Sequence, residues 1–153
     1  MSMNRRTVVK AIAAGGALVG ASVMMPRAAM AAWAESAFKA DKQDAAMNAL
    51  LGSTEAAESA EVTLKAPDIA ENGAVVPVTV RTGMANVESI SIFVENNPNP
   101  LVAEFMIPEG TDADVSTRLR MGKTSKVTAV VKADGKLYSA AKEVKVTIGG
   151  CGG

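Results

Sequence analysis

The chain has 153 residues, which is room for one ordinary domain, and it contains one cysteine and no histidine. The first 31 residues hold four basic side chains and no acid, so the remainder carries 12 Lys and Arg against 16 Asp and Glu. That part of the chain has no basic surplus with which to bind nucleic acid. Without histidine it lacks the usual general base near neutral pH and the commonest metal ligand. The sequence therefore assigns no catalytic residue, no metal ligand and no cofactor.

Residues 1–31 have the features of a cleaved export signal. Arg5 and Arg6 open the run Arg-Arg-Thr-Val-Val-Lys, which is typical of a twin-arginine signal peptide. The uncharged run that follows, residues 11–25, is shorter than the roughly 20 residues needed to span a bilayer. We therefore expect no stable membrane anchor. Small residues fit cleavage after residue 31, or as late as residue 34.

The twin-arginine route exports proteins that are already folded, with whatever is bound to them. Because no cofactor-binding motif is present, the signal favours a protein that leaves the cytoplasm together with a partner. We expect the mature protein to be periplasmic, in a compartment that oxidises thiols.

The mature chain begins with residues that favour a helix. Alanine and other good helix formers dominate Glu35–Leu51, with a partial apolar stripe at helical spacing. Gly52 is placed to end this helix. The small and polar residues 52–59 then indicate a linker.

From Glu61 onward, short β-branched runs alternate with turn residues. Period-2 alternation predicts strands within 62–64, 75–80, 87–94, 101–107, 115–119, 127–131, 136–141 and 144–148. Asp134-Gly135 is a strong hairpin signal, and Pro77 predicts a strand that lies at an edge or starts late. The pattern predicts a mainly β domain over 35–148, an antiparallel immunoglobulin-like β-sandwich with an N-terminal helix.

The last five residues, 149–153, place the cysteine on a glycine arm. Gly149, Gly150, Gly152 and Gly153 flank Cys151 symmetrically. Because glycine has no Cβ and visits both halves of φ space, this arm is expected to be flexible and thin enough to enter a narrow cleft. If the last strand fixes residue 148, Cys151 lies at most about 10 Å beyond it.

Three interpretations of Cys151 remain open from the residues alone. It could be a covalent attachment site that holds an intermediate for separate enzymes. It could form an intermolecular disulfide in a structural or tethering module, or it could be an incidental thiol on a disordered tail. Catalysis within this chain is disfavoured, because a nucleophilic cysteine needs a base and a pocket.

The sequence also resembles a known family. The ending Val144-Lys145-Val146-Thr147-Ile148-Gly149-Gly150-Cys151-Gly152-Gly153 is similar to that of SoxY proteins, the sulfur-carrier subunits of the periplasmic thiosulfate-oxidising (Sox) system. The resemblance extends over residues 36–153. It includes the segments 64–73, 86–90, 97–100 and 115–118.

The resemblance implies a role for Cys151 and for several partners. Its thiol would be conjugated to thiosulfate by a c-type cytochrome enzyme, a hydrolase would release sulfate, and a sulfane dehydrogenase would oxidise the remaining sulfur. The chain would act as a carrier and not as an enzyme. It also implies a stable heterodimer with SoxZ, which has no signal of its own and would be exported while bound.

Overall fold

Two short helices and nine strands make up residues 34–147, the part of the chain that the computed structural model describes. The helices are α1 (Glu35–Lys39) and α2 (Gln43–Leu51). The strands are β1 (Ala57–Glu58), β2 (Val62–Lys65), β3 (Ile69–Ala70), β4 (Val76–Thr82), β5 (Val87–Val94), β6 (Leu101–Met106), β7 (Asp114–Leu119), β8 (Ser125–Ala133) and β9 (Lys136–Val146). Within these residues, no helix has the length and apolar character needed to cross a membrane.

The strands form two sheets that face each other. The larger sheet has the order β9-β8-β5-β6, and β1 and β3 pair in parallel with the other edge of β9. The smaller sheet has the order β2-β4-β7, and its pairings are antiparallel. The prediction of a mainly β, sandwich-like fold is confirmed.

Alternating side chains fill the space between the sheets. Ile90, Ile92 and Val94 alternate along the second half of β5 and are fully buried there. Matching sets come from β4 and β8: Val76, Val78, Val80, Val127, Ala129 and Val131. Because successive strand residues point to opposite faces, these sets define the inner face of each sheet. Aliphatic side chains supply most of this core.

The two helices cover the outer face of the larger sheet. Ala37 of α1, and Ala46 and Met47 of α2, pack in one cluster with the β5 residue Phe93. Leu101 and Val130 from the neighbouring strands complete this cluster. Phe93 lies between two core residues in sequence and faces the opposite way. Strand β5 is therefore buried on both faces in its second half.

The single helix predicted for residues 35–51 is wrong in one respect, because it is broken at residues 40–42. Ala40 and Lys42 both have extended backbone conformations. The side-chain amide of Asn99 donates a hydrogen bond to the Ala40 carbonyl oxygen, 3.3 Å away. Because of the break, each helix packs its own apolar residues against the outer face of the larger sheet. The predicted stop at Gly52 is confirmed, with φ of 72°.

The strand predictions differ from the structure at three places. The sequence pattern does not predict the two-residue strands β1 and β3, and β1 lies within the predicted linker 52–59 because it pairs with the distant strand β9. The last two predicted runs are one continuous strand, β9, which the exposed Ala141 within it does not interrupt. Strand β4, which carries Pro77, is the middle strand of its sheet and not an edge strand. Pairing with β2 ends at Thr79, so Pro77 pairs only with Arg118 of β7. The Asp134-Gly135 hairpin is confirmed, because both residues have positive φ.

Candidate functional site

The candidate site is the end of β9, where the described part of the chain stops at Thr147. The predicted attachment residue Cys151 and its flanking glycines Gly149, Gly150, Gly152 and Gly153 lie outside the described residues. The signal residues Arg5 and Arg6 lie outside them as well. The structure therefore describes the segment that holds the arm, which we call the arm root and define as residues 144–147.

The arm root is held inside the larger sheet on both sides. Val144 is fully buried and pairs with Ser125 of β8. On the opposite edge, the two residues of β3 pair in parallel with the root, Ile69 with Lys145 and Ala70 with Val146. The short strand β3 thus extends the sheet beyond β9. The end of β9 is therefore paired with β8 as far as Val144 and with β3 at Lys145 and Val146.

Three consecutive backbone amides of the arm root have defined acceptors. The Lys145 N–H donates to the Asp68 carbonyl oxygen at 3.0 Å, and the Thr147 N–H donates to the Ala70 carbonyl oxygen at 3.1 Å. Between them, the Val146 N–H donates to the hydroxyl oxygen of Thr124 at 3.0 Å. Each such bond contributes about 0.5–1.5 kcal/mol net. The chain is therefore fixed as far as Thr147, four residues before Cys151.

Lys142 of β9 contacts the segment between β2 and β3. Its Nζ donates to the Ala66 carbonyl oxygen at 2.6 Å and lies 3.0 Å from a carboxylate oxygen of Asp68. Asp68 is largely exposed, so this ion pair contributes little. The bond to Ala66 is the more important one, because it holds the chain that leads into β3.

Sequence reasoning missed these supports of the root. Lys142 is half-buried, although a lysine on a strand is by default expected to be exposed. Its even position on β9, shared with the core-facing Val144, was the available signal. No local pattern in the sequence indicates that Thr124 accepts a hydrogen bond from the arm root. This bond depends on the β7–β8 loop closing over the root.

Among residues 34–147, two carboxyl groups have shifted pKa values, one on β5 and one on β6. Hydrogen bonds from the Lys132 side chain and from the Gly135 N–H lower the pKa of Glu88. Burial raises the pKa of Glu104, on β6. Within residues 34–147, no three acidic, His or Cys side chains converge in a way that could hold a metal ion.

Replacing Glu104 by glutamine is expected to raise the melting temperature at pH 7 by a small amount, because Glu104 is only partly buried and solvent screens its charge. The raised pKa means that folding disfavours the Glu104 carboxylate, so removing its charge should stabilise the fold above that pKa. The advantage should disappear as the pH falls below the unfolded pKa. Thermal melts of both proteins from pH 4 to 7 measure this. A stabilisation that is equal at every pH would contradict the prediction.

Comparison with known proteins identifies the family. The family model for the sulfur oxidation protein SoxY matches residues 47–151, a range that includes Cys151. A solved structure, the sulfur carrier protein SoxY from Chlorobium limicola f thiosulfatophilum, is 50% identical with a TM-score of 0.64, over 70% of this chain and 97% of that one. The chain belongs to the SoxY family. No curated protein sequence matches it.

A second solved structure resembles this SoxY family member in fold alone. The superoxide reductase (neelaredoxin) from Ignicoccus hospitalis is 23% identical, with a TM-score of 0.50, over 56% of this chain and 80% of that one. At this identity the likeness concerns the β-sandwich only. The SoxY family match includes the arm root, because it continues through residues 144–147 to Cys151.

Proposed function

We propose that this SoxY family member is a periplasmic sulfur carrier that holds thiosulfate-derived sulfur on Cys151 and presents it to separate enzymes. The observation that carries the proposal is the family match, which runs through the arm root to Cys151. The geometry of the root supports it. Four residue steps separate Thr147 from Cys151, so the Cys151 backbone lies at most about 14 Å beyond the Thr147 amide.

The chemistry of the chain fits a carrier better than an enzyme. Cys151 is the only cysteine and there is no histidine, so the chain supplies a nucleophilic sulfur but no imidazole base. In the proposed cycle, oxidation by two electrons joins the Cys151 thiolate to the outer sulfur of thiosulfate. Water then attacks the terminal sulfonate sulfur and the bond from that sulfur to its neighbour breaks, so that sulfate and two protons are released and a persulfide remains on Cys151. Each step is assigned to another protein.

Three transient partners follow from this cycle. A c-type cytochrome enzyme would accept the two electrons of the conjugation, a hydrolase would release sulfate, and a sulfane dehydrogenase would oxidise the remaining sulfur. Each must admit the cysteine into a cleft. Ordering the arm on entry costs roughly 1–2 kcal/mol per residue, which keeps each complex weak and lets the carrier move on.

A stable heterodimer with SoxZ and export in the folded state complete the proposal. The support is the run that begins with Arg5 and Arg6, together with the resemblance to carriers whose partner has no signal of its own. A folded pair could cross the membrane together. The finished carrier would then act in the periplasm.

The intact mass of the protein purified from its native periplasm tests the proposal. We expect sulfur or thiosulfate adducts that map to the C-terminal peptide and that a thiol reductant removes. A second candidate function, a disulfide tether, predicts a stoichiometric dimer on non-reducing gels instead. An unmodified monomer, or a disulfide dimer without sulfur adducts, would overturn the carrier proposal.

A further inference from the structure

The loop between β3 and β4 closes over the arm root at a single glycine, Gly73. Its carbonyl oxygen accepts a hydrogen bond from the Met121 N–H at 2.7 Å. A Cβ placed on Gly73 would lie 2.4 Å from the Met121 carbonyl oxygen and 2.8 Å from Cγ1 of Val146. Gly73 thus touches both the β7–β8 loop and the arm root. Side chains larger than hydrogen have no room there.

The requirement for glycine at this position is one of space and not of backbone conformation. Gly73 does not have positive φ, unlike Gly52, Gly110 and Gly135. The sign of φ therefore does not require glycine at this position. The conflict would instead be with the backbone of Met121, which cannot rotate away as a flexible side chain could. Either the β3–β4 loop or the β7–β8 loop would have to move off the root.

Both loops hold the arm root directly, so their position matters for it. The β3–β4 loop follows Ala70, whose carbonyl oxygen accepts from the Thr147 N–H. The β7–β8 loop carries Thr124, whose hydroxyl accepts from the Val146 N–H. Displacing either loop would therefore lengthen or break a bond to one of the last two described residues.

We propose that Gly73 is a positioning residue for the cysteine arm. By allowing the two loops to meet on Val146, it holds the arm root, from which the cysteine arm continues, in its place in the sheet. The reason for positioning the arm rests on the proposed carrier function. The contacts that Gly73 makes do not depend on that function. It also gives a physical role to the end of the segment 64–73, which resembles the SoxY family.

A matched pair of substitutions tests the proposal, namely Gly73→Ala and Gly122→Ala. Gly122 follows Met121 in the same loop, also lacks positive φ, and has nothing within 4 Å of a Cβ placed on it. A nitroxide label attaches selectively to Cys151, the only cysteine. Its paramagnetic broadening of amide signals around the root then reports where the arm lies. Amide hydrogen exchange of Thr147 reports whether the root is held.

We expect Gly73→Ala to change the pattern of broadening and to speed exchange at Thr147 about tenfold, the scale of one lost backbone hydrogen bond. Gly122→Ala should match the unsubstituted protein in both measurements. The rate at which iodoacetamide alkylates Cys151 should be the same in all three proteins. Melting temperatures identify any general loss of stability.

A second variant covers the case in which Gly73→Ala does not fold. Val146→Ala removes the methyl group that Gly73 contacts, without introducing a clash. It should produce the same changes in broadening and exchange with smaller amplitude. Unchanged broadening and exchange in a folded Gly73→Ala or Val146→Ala protein would overturn the proposal, as would equal changes in Gly122→Ala. Neither readout involves sulfur chemistry, so the mass measurement decides the carrier function separately.

Discussion

Replacing Cys151 by serine is expected to abolish sulfur loading completely and to leave the fold unchanged. Cys151 is the only thiol in the chain, and a serine hydroxyl cannot form the sulfur–sulfur bond that the carrier needs. The fold should not respond, because the core and the hydrogen-bonded arm root are built from residues 34–147, which do not include Cys151. The melting temperature should therefore stay within experimental error of the unsubstituted value.

Loading can be measured without the partner enzymes. Tetrathionate transfers a thiosulfate group to a thiolate and releases thiosulfate, and the adduct is read by intact mass. Gly152→Ser is the matched control, because it introduces serine next to the thiol and should load like the unsubstituted protein. Adducts that persist on the Cys151→Ser protein would place the carried sulfur elsewhere and contradict the assignment.

The largest loss of stability is expected from Phe93→Ala, at about 3–5 kcal/mol. Phe93 is fully buried between β5 and the two helices, where it packs in one cluster with Ala37, Ala46 and Met47. Its removal leaves a cavity that small helix residues cannot fill. A domain of this size is stable by only about 5–15 kcal/mol, so much of the total would be lost.

Urea denaturation measures this loss, and Phe105→Ala provides the comparison. Phe105 is the same residue type on the neighbouring strand β6 but is only half-buried. Its replacement should cost clearly less than that of Phe93. Equal losses for the two variants, or a loss below about 1 kcal/mol for Phe93→Ala, would mean that the helix layer does not depend on this side chain.

Local patterns explain why much of the sandwich could be predicted. Strand β5 alternates Ile90, Ile92 and Val94 on its inner face, and such alternation is visible without any partner strand. The Asp134-Gly135 turn is equally local, because its two positive φ values suit those residue types. In each case the physical cause lies within a few residues of its effect.

The features that the sequence did not predict depend on contacts between distant residues. Ala40 is an excellent helix former, yet the helix breaks there, where Asn99 binds its carbonyl oxygen. Strand β3 has only two residues, so no alternation could reveal that it pairs with β9. The crowding at Gly73 likewise depends on Met121 and Val146, far away in the chain.

The last strand also determines how the domain responds to mechanical load. Strand β9 forms nine residue pairs with β8 and ends between β8 and β3. Hydrogen bonds in an antiparallel ladder lie perpendicular to the strands. A force along the axis of β9 is therefore shared by many bonds in shear and does not peel them apart one at a time. A pull along this axis on the chain beyond Thr147 would have to break the β8–β9 ladder in shear before β9 could leave the sheet.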